Sequence, residues 1–114
     1  MTFDEYQEKA KLTNLTPGKF NGLLTISFMD KVLGLVGESG EFADKVKKIL
    51  RDKNAELSED DRQELVKELG DVLWYIALLA DNFGVGLEKV AEINIEKLSS
   101  RKNRGKLAGK GDNR

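Results

Sequence analysis

Apolar residues recur at three- and four-residue intervals along most of the chain, the spacing of helices that bury one face. Four helices are predicted. The first opens at Thr2, which with Glu5 makes a capping box, and runs to about Asn14 with Phe3, Tyr6, Ala10 and Thr13 along one side. Asn14 to Gly22 contains Pro17-Gly18 and reads as a loop. The second helix spans about Ser27 to Arg51, with Phe28, Val32, Leu35, Val36, Phe42, Val46 and Ile49 as its apolar positions. After a polar turn from Asp52 to Leu57, Ser58 caps the third helix. Asp60 and Asp61 lie in its first turn, where the helix dipole favours acids. Its wide apolar face comprises Leu65, Leu69, Val72, Leu73, Tyr75, Ile76, Leu79 and Phe83, and Gly84 ends it. The fourth helix runs from Leu87 to about Arg101, with Leu87, Val90, Ile93 and Leu98 inward, and Asn103 to Arg114 is Gly-rich and non-helical. The only β-like run, Leu23 to Ile26, is too short to found a sheet. The pattern predicts an all-α helical bundle with two long central helices.

At 114 residues the chain makes one domain. We assign residues 1–104 to it and 105–114 to a basic tail. The longest apolar run, Val72 to Ala80, is too short for a membrane span of about 20 residues. The start, Met1 to Glu5, is acidic and unlike a signal peptide, so the expected location is cytoplasmic with no membrane partner. The absence of Cys and His removes thiol nucleophiles, Ser-His-Asp hydrolysis and imidazole-ligated metals. A metal here must be held by oxygen, which favours Mg, Mn or Ca. The net charge of −1 conceals +5 on residues 101–114 against −6 on the rest, so the tail suits an anionic partner or is simply solvated.

Two segments share one design. Glu38-Ser-Gly40-Glu41-Phe42 on the second helix and Glu68-Leu-Gly70-Asp71-Val72 on the third both read acid, any residue, Gly, acid, apolar. Acids three apart on a helix are neighbours, and these sit on or beside the apolar stripe. Four inward carboxylates repel and lose hydration, so a positive charge is needed among them. Mg²⁺, or Mn²⁺, is one answer; a helix hairpin whose acids pair with Lys45, Lys48 or Lys67 is the other. Gly34, Gly37, Gly40 and Gly70 lie in helix interiors, at about 1 kcal/mol each relative to Ala, which suggests close helix approach or room for a ligand.

The combination resembles the MazG-like enzymes of the all-α nucleoside triphosphate pyrophosphohydrolase superfamily. Their E-x-x-E and E-x-x-D motifs correspond here to Glu38, Glu41, Glu68 and Asp71. Tyr6-Gln7 and Ala10, the run from Glu68 to Tyr75, Asn94-Ile-Glu-Lys97, and the ending Gly111-Asp-Asn-Arg114 extend the likeness over nearly the whole chain. The resemblance implies Mg²⁺-dependent hydrolysis of (deoxy)nucleoside triphosphates to the monophosphate and pyrophosphate, by water attack on the α-phosphorus. It implies that Glu38, Glu41, Glu68 and Asp71 hold the metal and serve catalysis, with Glu41 as the proton acceptor. Lys97, Asn94 and Tyr75 would contact substrate. Separately, the charge and glycines of the basic end suggest a mobile segment whose Arg101 and Arg104 reach the phosphates, or else a solvated tail or one that contacts the acidic body of a neighbouring subunit. A homodimer or homotetramer completing the bundle is implied, with no nucleic-acid polymer as partner and a role in nucleotide-pool housecleaning. Phosphoribosyl-ATP pyrophosphohydrolysis and a non-enzymatic helical interaction module are the competing readings.

Overall fold

The computed structural model describes residues 1–114. Its helices are α1 (Phe3–Lys11), α2 (Ile26–Asp52), α3 (Glu59–Asn82) and α4 (Leu87–Asn103). Both predicted N-terminal caps close as reciprocal boxes. Glu5 N–H donates to Thr2 Oγ1 at 3.0 Å while Thr2 N–H donates to the Glu5 carboxylate at 3.1 Å. Ser58 and Asp61 repeat the arrangement at 3.1 Å in both directions. Each box satisfies two amides that a bare helix end leaves unpaired.

The first helix ends earlier than Asn14. Thr13 N–H and its hydroxyl both donate to Ala10 O, and Asn14 Oδ1 accepts from Thr16 N–H. The short side chains of Thr13 and Asn14 thus compete with the helical ladder ahead of Pro17. Gly84 terminates α3 as predicted. At φ +69° it lets Val85 N–H reach back to Ala80 O and Gly84 N–H to Asp81 O, closing orphan carbonyls. Gly105, also at +69°, ends α4 the same way two residues beyond the expected boundary.

The long helices α2 and α3 pair as a hairpin, α1 and α4 pack on α3 and on each other, and α2 touches no helix but α3. The core is small: Ala10, Ala77, Leu78, Ala80 and Leu87 are its buried apolar residues, and five buried polar or charged residues join them. Several positions expected inward, among them Leu69, Phe83 and Ile93, remain more than half exposed because no element covers their side of the bundle. Phe83 instead joins Phe20 and Phe28 in an aromatic cluster with ring centroids 5.2–5.6 Å apart. Phe20 comes from the loop that precedes α2.

Two long-range devices fix α1 and the loop. Gln7, buried, donates through Nε2 to Ala77 O (3.0 Å) and Val85 O (2.9 Å), while its Oε1 accepts from Leu87 N–H. Asp4 Oδ1 accepts from Glu88 N–H at 3.1 Å. Gly86 has no side chain to cap α4, so α1 supplies the cap from across the fold. Lys31, fully buried, donates to Thr16 Oγ1 (2.6 Å) and Asp30 Oδ2 (3.0 Å), tying the loop to α2.

Of the four helix-interior glycines expected to allow close approach or to leave room for a ligand, only Gly34 makes a close approach. Nothing lies within 4 Å of a Cβ built on Gly37, Gly40 or Gly70, whereas one on Gly34 would run into the Tyr75 ring of α3. The glycines beside the acids leave space; Gly34 brings α2 against α3.

Candidate metal centre

The two acidic motifs lie on facing stretches of α2 and α3. Glu38, Glu41 and Glu68 each present a carboxylate oxygen, and the three oxygens lie within 4.8 Å of one another. Glu68 is the most buried at 6% exposure, Glu38 is intermediate and Glu41 is open to solvent. Burial first, then the Asp71 charge and the charges of the remaining acids, push the Glu38 carboxyl above its ordinary range. Asp71 is exposed and stands outside the three-oxygen group, yet its charge reaches Glu38, Tyr6 and Tyr75.

One positive charge is already among these acids. Lys45, one turn after Glu41, places Nζ 2.7 Å from Glu68 Oε1 and 3.5 Å from Glu64 Oε2. The hydrogen bond to Glu68 holds the Lys45 ammonium above its usual pKa. Lys48 and Lys67, the other candidate partners, pair instead with Asp44 and Glu64. Lys45 satisfies only half of Glu68: its Oε2 is buried without any hydrogen-bond partner. A buried polar group left unpaired costs about 1–3 kcal/mol, and more when it is charged, as a carboxylate is. The all-oxygen donor set and that orphan oxygen fit a hard divalent cation such as Mg²⁺ or Mn²⁺. Beside it, Gly37, Gly40, Glu41, Asp44, Lys45 and Lys48 line an open cavity of about 420 Å³.

The remaining sequence-predicted residues lie apart from this cluster or are already engaged. Tyr75 is half-buried beneath Gly34, edge-on to Trp74 at 4.8 Å. Burial, and then the charges of Asp30, Glu38 and Asp71, raise its phenol pKa. Trp74 donates through Nε1 to Thr13 Oγ1 at 2.8 Å. Asn94 is exposed on α4. Lys97 Nζ lies 3.2 Å from Asp112 Oδ1. Arg101, at 4% exposure, donates to Asp112 O (2.7 Å), Asp112 Oδ1 and Gly111 O. Arg104 donates to Arg114 O and Ser100 Oγ. The basic end is therefore no free arm: it curls back onto α4, with Arg114 donating to Lys106 O and Leu107 O. Sequence reasoning missed the role of Asp112, the one acid in the segment. Its position in a run of cations was the available signal.

The MazG nucleotide pyrophosphohydrolase domain family model matches residues 28–105. The "Gene 37 protein" of Mycobacterium phage L5 is 47% identical over 116 residues, covering 100% of both chains. The "Uncharacterized protein YvdC" of Bacillus subtilis (strain 168) is 43% identical over 72 residues, which is 59% of this chain and 68% of that one. No solved structure matches the chain. The family match takes in all four motif acids, all of α3 and all but the first two residues of α2, and the chain belongs to the MazG nucleotide pyrophosphohydrolase family.

Proposed function

We propose that this protein hydrolyses (deoxy)nucleoside triphosphates to the monophosphate and pyrophosphate with Mg²⁺, in nucleotide-pool housecleaning. The observation that carries the reading is the buried Glu68 carboxylate, half-paired and turned with Glu38 and Glu41 toward one point. Glu38, Glu41 and Glu68, with Asp71 adjoining, would hold the cation; Mg²⁺ supplies charge neutralisation at the phosphates and a more acidic water. The water oxygen bonds to the α-phosphorus, the bond from that phosphorus to the bridging oxygen breaks, and pyrophosphate leaves. Glu41, the most open of the three glutamates, accepts the water proton. The glycine-lined cavity gives phosphate oxygens a place beside the acids, with Lys48 on its wall. Tyr75 and Asn94 would orient the nucleoside, and Lys97, Arg101 and Arg104 would meet phosphates once Asp112 and the chain end release them. Ile26, Leu33 and Val36 of α2 and Val66 and Leu69 of α3 stay exposed, which supports a dimer or tetramer covering this side.

Pyrophosphate release from a panel of dNTPs, NTPs and damaged nucleotides, with Mg²⁺ and with EDTA, tests the reading. We expect Mg²⁺-dependent turnover of several triphosphates. Turnover of phosphoribosyl-ATP alone, or of nothing, contradicts it.

A further inference from the structure

Lys45 stands between two carboxylates of α3 spaced one turn apart, Glu64 and Glu68. The two differ in surroundings. The Glu68 side chain is 8% exposed and that of Glu64 is 51% exposed, while Lys45 is intermediate at 35%. The ammonium is pressed against the buried acid at 2.7 Å and reaches the open one at 3.5 Å. Lys45 touches one Glu68 oxygen only and the other is left unpaired, on a carboxylate that brings an oxygen within 4.8 Å of oxygens of Glu38 and Glu41.

We infer that Lys45 is the resident counter-ion of the metal centre, exchanging from Glu68 to Glu64 when a divalent cation enters. The inference rests on the reading of Glu38, Glu41 and Glu68 as a metal site. Without a cation, Lys45 compensates the buried Glu68 charge and lets α2 and α3 close over it. A cation on Glu68 Oε2 sets a double positive charge within a few ångströms of the ammonium. The two repel, and Coulomb energy in a partly buried site makes that repulsion large enough to move a flexible side chain. Glu64 is already in reach and half exposed, with Lys67 on its Oε1 while its Oε2 faces Lys45, so the exchange needs only a rotation of the lysine stem. No bond forms or breaks and no proton transfers. Divalent binding is therefore weaker than the bare acid cluster would give, and the metal-free protein is more stable than it would be without the lysine.

Mn²⁺ titration of the full chain, by calorimetry and by loss of the free-ion electron paramagnetic signal, tests this together with thermal unfolding. Lys45→Met should bind Mn²⁺ about five- to tenfold more tightly than wild type. Its metal-free form should unfold at lower temperature, and saturating Mn²⁺ should close that gap. Lys45→Arg keeps the charge and can reach both Glu68 oxygens with its fork, so it should bind Mn²⁺ more weakly than wild type. Lys47→Met removes an equal charge from a lysine of α2 that pairs with Asp44 and should leave the affinity unchanged. Equal or weaker Mn²⁺ binding by Lys45→Met, or an equal gain in Lys47→Met, overturns the exchange while leaving the metal centre standing. Failure of wild type and Lys45→Met alike to bind Mn²⁺ overturns both.

Discussion

Replacing Gly34 with alanine sets two effects of opposite sign against each other. Helix propensity alone favours alanine in the interior of α2 by about 1 kcal/mol. The structure opposes it: the new methyl would fall within the Tyr75 ring, 2.8 Å from Cδ1 and closer still to Cε1 and Cζ. The ring has little room to yield, because Trp74 stands edge-on to it and α2 and α3 are the principal packed pair. Overpacking costs about 1–3 kcal/mol, and an overlap this deep between two packed helices belongs in the upper part of that range, about 2–3 kcal/mol, so a net loss of about 1–2 kcal/mol remains after the propensity gain. In a chain of this size that lowers the unfolding temperature by about 4–12 °C. Gly40→Ala and Gly70→Ala provide the internal comparison. Both positions face open space, so propensity acts unopposed and each variant should gain up to about 1 kcal/mol. Urea and thermal denaturation of the three metal-free variants measure the signs. A Gly34→Ala protein as stabilised as the other two would refute the assigned helix approach.

Three further outcomes are expected. Lys31→Met should cost under about 1 kcal/mol, whereas Asp30→Ala should cost about 2–3 kcal/mol, because it leaves a fully buried ammonium with its Thr16 bonds but no counter-charge; comparable losses in urea denaturation would contradict this. Hydrogen bonds from Lys97 and Arg101, and then their charges, hold the Asp112 carboxyl below its ordinary pKa, so its contribution to stability is full above the usual carboxylate pKa and is lost as pH falls through the depressed value. Asp112→Asn should accordingly lie below wild type in unfolding temperature at neutral pH and converge with it in acid; a constant offset down to low pH would refute the pairing. Gln7→Ala removes donors from Ala77 O and Val85 O and leaves Leu87 N–H unpaired, so a loss of about 2–4 kcal/mol should appear in urea denaturation.

Local features of the fold were legible in the sequence because local physics sets them. The capping boxes at Thr2 and Ser58, the stop at Gly84 and the periodicity of α2 and α3 act over a few residues. The pairings of Gln7 with the α3–α4 turn and of Asp4 with the α4 amide span about 80 residues and leave no local pattern. The burial of Lys31 likewise leaves no local pattern, because nothing nearby in sequence announces that the loop carrying Thr16 folds over it. The acidic cluster was legible because i, i+3 spacing places each pair on one helix face. Which glycine meets the opposite helix was not, since that depends on the register between α2 and α3. The competing electrostatic answers, a metal or a lysine, both left traces: Lys45 pairs one oxygen of Glu68 and the other stays unpaired. Six cations in the last 14 residues suggested an open arm, but one acid at position 112 draws that segment back onto α4.

The central claim is that the acid cluster directs water to the α-phosphorus. Hydrolysis of a deoxynucleoside triphosphate in ¹⁸O-enriched water with Mg²⁺, followed by mass spectrometry of the products, tests it most directly. The account predicts one ¹⁸O atom in the nucleoside monophosphate and none in the pyrophosphate, with turnover abolished by Glu41→Gln or Asp71→Asn. Label in pyrophosphate or inorganic phosphate, or wild-type turnover in both variants, would contradict it.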